Sequence, residues 1–201
     1  MLFRSGTGQL SSGSLILSGA TTVLDLGAGS RTSGVFKLTD GTLKNGSLTA
    51  STFGLENGLV SAVLNGGVNV LKSTSGLVTL SGANSLNGIM DIAGGTLAIN
   101  AVGKLTSGSL SIQNAGTVLD LGGTTQLVGA FRFADGTVQN GTLIASSIIL
   151  ESGLISDALN SSGLVTKTTN GTVTLSGANN LSGWMDITAG TVNLSGVGRL
   201  T

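Results

Sequence analysis

The sequence predicts an all-β chain wound as a single-stranded parallel β-helix, a solenoid of about ten coils. Three observations lead there. The chain repeats itself at an offset of 95 residues without a gap, from Gly13 against Gly108 to the end. Within each repeat, short apolar segments rich in Val, Ile, Leu and Thr recur between Gly, Asn, Ser and Asp, which is strand grammar. Gly accounts for 34 of 201 residues and Pro for none, so corners can be tight while almost every backbone N–H stays available for pairing between coils.

The repeat defines the organisation. "TVLDLG" at 22–27 returns at 117–122, "DGTLKNGSL" at 40–48 returns as "DGTVQNGTL" at 135–143, and "VTLSGAN" at 78–84 returns unchanged at 173–179. About half of the aligned positions are identical. The chain reads as one continuous segment over 1–201, with units at 11–105 and 106–200 and with 1–10 as the tail of a preceding unit, since "GQLSSGSL" at 8–15 matches "GKLTSGSL" at 103–110. It looks like part of a longer array.

Two series of strands are legible inside a unit. One begins near Leu15, Val35, Phe53, Val70 and Ile89, and resumes near Leu110. The other runs through Val23, Leu43, Leu59, Val78 and Leu97, then Val118. Their spacing of just under twenty residues gives about five rungs per unit, each with two or three short strands. A helix is excluded because Gly would interrupt every turn. An outer-membrane barrel would carry aromatic girdles, and there is no Tyr, one Trp and five Phe. A single coil cannot bury its inner face, so like side chains must stack in ladders at the inter-strand spacing of about 4.8 Å.

Composition narrows function. Hydrophobic residues make up 40% and charged residues 9%, so the chain has material for a core. Nine basic and nine acidic residues cancel, which leaves no basic footprint for nucleic acid and no polybasic anchor for membranes. No stretch is long and apolar enough to span a bilayer as a helix, and "MLFRSGTGQL" lacks the apolar run of a signal peptide. Any export signal or anchor is expected outside this segment. Cys is absent, so disulfides and thiolate metal sites are excluded.

Within "LVTLSGANSLNGIMDIAGGTL" (77–97), "VTL" ends at the corner "SGAN", "LNG" makes a second corner, and "AGG" leads into "TLAI". Asn84 and Asn179 are expected to bond backbone groups of the turn. Here the chain resembles the autotransporter-associated β-strand repeat of large secreted bacterial surface proteins, whose pattern matches "VTLSGANSLNG…DIAGGTL" and "VTLSGANNLSG…DITAGTV" over about twenty residues per unit. The resemblance implies a right-handed parallel β-helix displayed outside the cell as a stalk or adhesin. It brings no catalytic residues. The chain departs from the pattern in having Leu86 and Leu181 near a position that is commonly aromatic, and it contains no translocating β-barrel domain.

Chemistry is sparse. His, Cys and Tyr are all missing. Asp25, Asp40, Asp91 and Glu56 recur as Asp120, Asp135, Asp186 and Glu151, but once per unit and on different rungs, whereas glycoside hydrolysis needs two carboxyls flanking one bond. Asp25 and Asp91 alternate with apolar residues and are read as outward-facing; Asp40 precedes Gly in a turn. "DLGAGS" and "DLGGTT" do not reproduce a calcium-binding nonapeptide, and no phosphate-binding loop occurs. "TKTT" at 166–169 has no aligned Thr pair on adjacent rungs for an ice-binding face. Trp184, in place of Ile89, is expected on the surface, with Met185 and Ile187 facing the core.

The expectation is a non-enzymatic segment with no catalytic, cofactor-binding or metal-binding residues and no cofactor. It would act as a rigid stalk, display scaffold or adhesin passenger at a bacterial cell surface. Its partners would be further copies of the repeat, with host or matrix glycans or proteins as the other candidates. A fibre subunit polymerising end to end is the alternative, and a carbohydrate-active β-helix relying on Asp25 and Asp120 is a distant one.

Overall fold

The computed structural model describes residues 2–4, 11–66, 69–100, 102–198 and 200. Of the tail at 1–10, the strand Leu2–Arg4 is described and the rest lies outside the described residues. Twenty-three strands join in one sheet, every pairing is parallel, and no helix occurs among the described residues. The chain is a parallel β-helix of about nine turns, close to the ten that the sequence spacing suggests.

Each coil has three sides. The first stacks Val23–Asp25, Thr42–Lys44, Gly58–Val60, Leu77–Leu80 and Thr96–Ile99, continues into Val118–Phe133 and Thr137–Leu150, and ends with Gly153–Ile155, Thr172–Leu175 and Thr191–Leu194. This is the second series read from the sequence. A further side carries the other series: the ends of Ser11–Leu17, Ser30–Leu38 and Ser47–Leu55, then Asn69–Lys72, Ile89–Ile92 and Ser109–Ile112. It closes with the ends of the two long strands, Val165–Lys167 and Met185–Ile187.

The side between them is assembled from pieces: the starts of Ser30–Leu38 and Ser47–Leu55, Val63–Gly66 and the two-residue strand Ser85–Leu86. At the junction between units only a bridge from Leu86 to Thr106 continues it, before the middles of the long strands, Ala158–Ser161 and Asn180–Leu181. Where the long strands turn a corner without losing strand character, a coil side is indistinguishable from its neighbour in sequence.

Alternation places one row of side chains inside on every side. Val78, Leu80, Met90, Ile92, Leu97 and Ile99 are all buried, and equivalent rows above and below form one unbroken apolar core. Phe36 stacks on Phe53 in direct register, ring centroids 6.1 Å apart in an edge-on arrangement. In the second unit Phe131 keeps the first of these places and Ile148 takes the second, while Phe133 moves into contact with Phe131 at 5.9 Å. Ladder-wise stacking of this kind is what a repeat of identical positions achieves, because each side chain meets its counterpart one inter-strand spacing away.

Candidate functional site

The corner motif is the most repeated local structure. Asn84 is buried, and its Oδ1 accepts from the N–H of Leu64 on the preceding coil (2.9 Å) while its Nδ2 donates to the carbonyl of Lys104 on the following one (3.0 Å). Asn179 likewise accepts from the N–H of Leu159 (3.0 Å), but its Nδ2 donates within its own turn, to Gly177 (2.9 Å). Only this last bond is the local turn contact expected from sequence; the others link coils. Gly82 and Gly177 in the same motif lie against the carbonyls of Ala62 and Asp157, where a Cβ would overlap the oxygen. Gln126 performs the Asn84 task at the unit junction, accepting from the N–H of Leu105 (2.9 Å) and donating to the carbonyl of Gly103 (3.0 Å).

The carboxylates singled out in the sequence are held in separate structural roles. Asp25 accepts from the N–H of Gly27 (2.9 Å) and the amide of Asn45 (2.8 Å), and pairs with Lys44 at 3.4 Å. The Asn45 amide, followed by the Gly27 N–H, holds its carboxyl below the usual range. Asp40 and Asp135 cap their own turns at Gly41 and Gly136, both at 2.7 Å. Glu56 pairs with Lys37 (2.8 Å) and Glu151 with Arg132 (2.6 Å), the same bridge in both units. Asp186 lies exposed near the last coil.

Two charged residues that the sequence reading passes over are buried. Lys72 and Lys167, equivalent in the two units, point inward and are fully covered. The Lys72 ammonium donates to the carbonyls of Thr74 and Gly94, the latter at 2.9 Å, and Lys167 donates to Thr169 and to the carbonyl of Ala189 (3.4 Å). Burial lowers the Lys72 pKa, against the opposing charge of Glu56. Asp157 is 3% exposed; its Oδ1 accepts from the N–H of Gly141 (2.7 Å), and its Oδ2 has no hydrogen-bond partner. Burial, with the nearby charge of Asp120, raises its pKa to about 6 despite the Gly141 bond. No sequence motif flags it, since Gly141 is 16 residues away.

An open groove of about 420 Å³ crosses the side carrying Ile89–Ile92. Its lining combines the small residues Ser109, Ser111, Ala130 and Ser147, the apolar Ile89 and Ile149, and the polar Asp91, Gln113 and Arg132. Trp184, the counterpart of Ile89, stands 86% exposed as the alternation requires. Met185 is partly buried against the core, but Ile187 is 48% exposed although its counterpart Ile92 is fully covered. The expected core placement of Ile187 is thus only half met, because no coil among the described residues lies beyond it. No group of three or more His, Cys, Asp or Glu able to hold a metal ion occurs among the described residues.

Comparison with protein-family models, with curated proteins and with solved structures returned no match. The class is therefore defined by architecture alone: a parallel β-solenoid built from an internally repeated unit.

Proposed function

We propose that the chain is a structural segment of a large secreted bacterial surface protein, serving as a rigid stalk or adhesin passenger. One observation carries the reading: a single apolar core runs from Leu17 to Leu181 through the stacked coils. A solenoid of about nine turns, rising about 4.8 Å per turn, spans about 45 Å of stiff reach without a hinge. Immunogold labelling of intact, unpermeabilised cells that carry the native gene tests it. Surface label is expected; label that depends on permeabilisation would overturn it.

A further inference from the structure

We propose that the exposed corners Asn87–Gly88 and Asn170–Gly171 are sites of spontaneous deamidation, where the chain converts its own amides to carboxylates in water. The inference rests on these corners alone and is independent of the display reading.

The sequence offers six Asn–Gly pairs, at Asn45, Asn57, Asn65, Asn87, Asn140 and Asn170. Glycine matters to the chemistry because no Cβ shields its backbone nitrogen or limits the rotation that brings it to the neighbouring side chain. That nitrogen loses its proton and attacks the asparagine Cγ. The Cγ–Nδ2 bond breaks, ammonia leaves, and a five-membered imide forms. Water then opens the ring at either carbonyl, giving Asp or its isomer with the backbone routed through the side chain. The balance is amide plus water to acid plus ammonia, with no change of oxidation state.

The fold sorts the six pairs. Ring closure needs a side-chain amide free to turn and a glycine nitrogen free to reach it. Asn45 and Asn140 sit at φ 59° and 63° with their amides donated to Asp25 and Asp120, both at 2.8 Å. The Gly141 N–H is also held, by Asp157 at 2.7 Å. Asn57 is fixed at both ends of its amide, donating to Asp40 (2.9 Å) and accepting from the Leu77 N–H (3.1 Å). Asn65 and Gly66 lie within the strand Val63–Gly66, with Asn65 extended between Thr49 and Ser85.

Asn87 and Asn170 differ. Both are exposed, and both stand in corners between strands, Asn87 after Ser85–Leu86 and Asn170 before Thr172–Leu175. Among the described residues neither side-chain amide has a hydrogen-bond partner. The Gly171 carbonyl accepts from the Thr191 N–H (3.1 Å), which anchors the corner, while the Gly171 nitrogen has no acceptor among those residues. The repeat shows that neither asparagine is needed for the coil, since Ser182 and Ser75 hold the equivalent places in the opposite units. Each event adds a negative charge to a chain whose nine acidic and nine basic residues balance, so the products separate by ion exchange.

The test is incubation at pH 8.5 and 37 °C in water enriched in oxygen-18, followed by peptide mapping with mass spectrometry. The folded chain is compared with the chain unfolded in guanidinium chloride, whose rates set the scale for six pairs sharing one neighbour type. In the folded chain Asn87 and Asn170 should convert at least about tenfold faster than Asn45, Asn57 and Asn140, the factor that one net hydrogen bond supplies. Their products should carry heavy oxygen and include the isomerised backbone. Asn87→Ser with Asn170→Ser, each installing the opposite unit's residue, should remove the acidic species while leaving the melting temperature unchanged. The proposal is overturned if all six pairs convert alike in the folded chain, or if Asn57 or Asn140 leads. It is equally overturned if the acidic species persist in the double variant.

Discussion

One buried amide, that of Asn84, joins three consecutive coils through Leu64 and Lys104. Removing it strands a buried N–H and a carbonyl, each costing about 1–3 kcal/mol when left unsatisfied. Asn84→Ala is therefore expected to lower unfolding free energy by about 2–4 kcal/mol, read as a lower urea midpoint at unchanged m-value. Asp157 makes the opposite kind of statement. Its pKa is raised from an ordinary 3.8 to about 6, so the folded chain holds the proton more tightly than the unfolded one. Stability attributable to this group is then greatest in acid, declines as pH rises from about 4 to 6, and is flat above. The span is on the order of 3 kcal/mol. The urea midpoint of the unaltered chain should fall from pH 4.5 to 7.5 relative to Asp157→Ala. Taking the difference removes Asp25, whose lowered value acts the other way by losing stability as pH falls toward acid; Asp120 is lowered too, but its charge acts on Asp157, so part of its response stays in the difference. At Asp120 burial opposes that lowering, and the amides of Gln139 and Asn140 with the Gly122 N–H outweigh it. A parallel pH response in both chains would refute the assignment.

At the scale of the strand and corner, legibility follows chemistry. The two series beginning at Leu15 and Val23 were readable because apolar residues reach the core in alternation along them, two in strands such as Leu77–Leu80 and Ile89–Ile92 and one in the three-residue strands such as Val23–Asp25. The remaining side was not, because its strands are as short as Ser85–Leu86 or set a single leucine among Ala, Asn and Ser, as in Ala158–Ser161. Buried Lys72 and Lys167 escaped for a different reason: a lysine in a strand reads as solvent-facing unless the carbonyls awaiting it, here from Thr74 and Gly94, are known. Asp157 escaped because Asp120 and Gly141 meet it only through coiling. The "SGAN" corner shows how little room the coils leave. At Gly82 the backbone passes so close to the Ala62 carbonyl that any Cβ collides with it, and the bond from Ser81 N–H to the Val60 carbonyl (2.9 Å) fixes the spacing on one side. Gly82→Ala should cost more than about 2 kcal/mol, several times the few tenths expected for a substitution at an exposed position such as Ala115→Ser. Equal thermal melts for Gly82→Ala and Ala115→Ser would contradict the close approach.

Across the whole molecule, the core is continuous but its protection is not uniform. Phe131, Val138, Leu143 and Ile148 lie in coils covered on both sides, and all are buried. Met185, Ile187, Val192 and Leu194 belong to strands paired on one side only, to Val165–Lys167 and Thr172–Leu175. In a stack whose stability is a sum of coil and nearest-neighbour terms, a coil with one neighbour forgoes an interface that every interior coil has. Local opening should then propagate from that end before the middle yields. Native-state hydrogen exchange is expected to show amides of Met185–Ile187 and Thr191–Leu194 exchanging at least a hundredfold faster than those of Val118–Phe133 and Thr137–Leu150. In denaturant, the end should detach at lower concentration than the long paired strands. Self-association would remove the gradient by supplying the missing neighbour, so measurement at low and high protein concentration also separates a free stalk segment from a stacking subunit. Uniform exchange at the lowest concentration would show that the coils unfold as a single unit, and that the nearest-neighbour description of this solenoid is wrong.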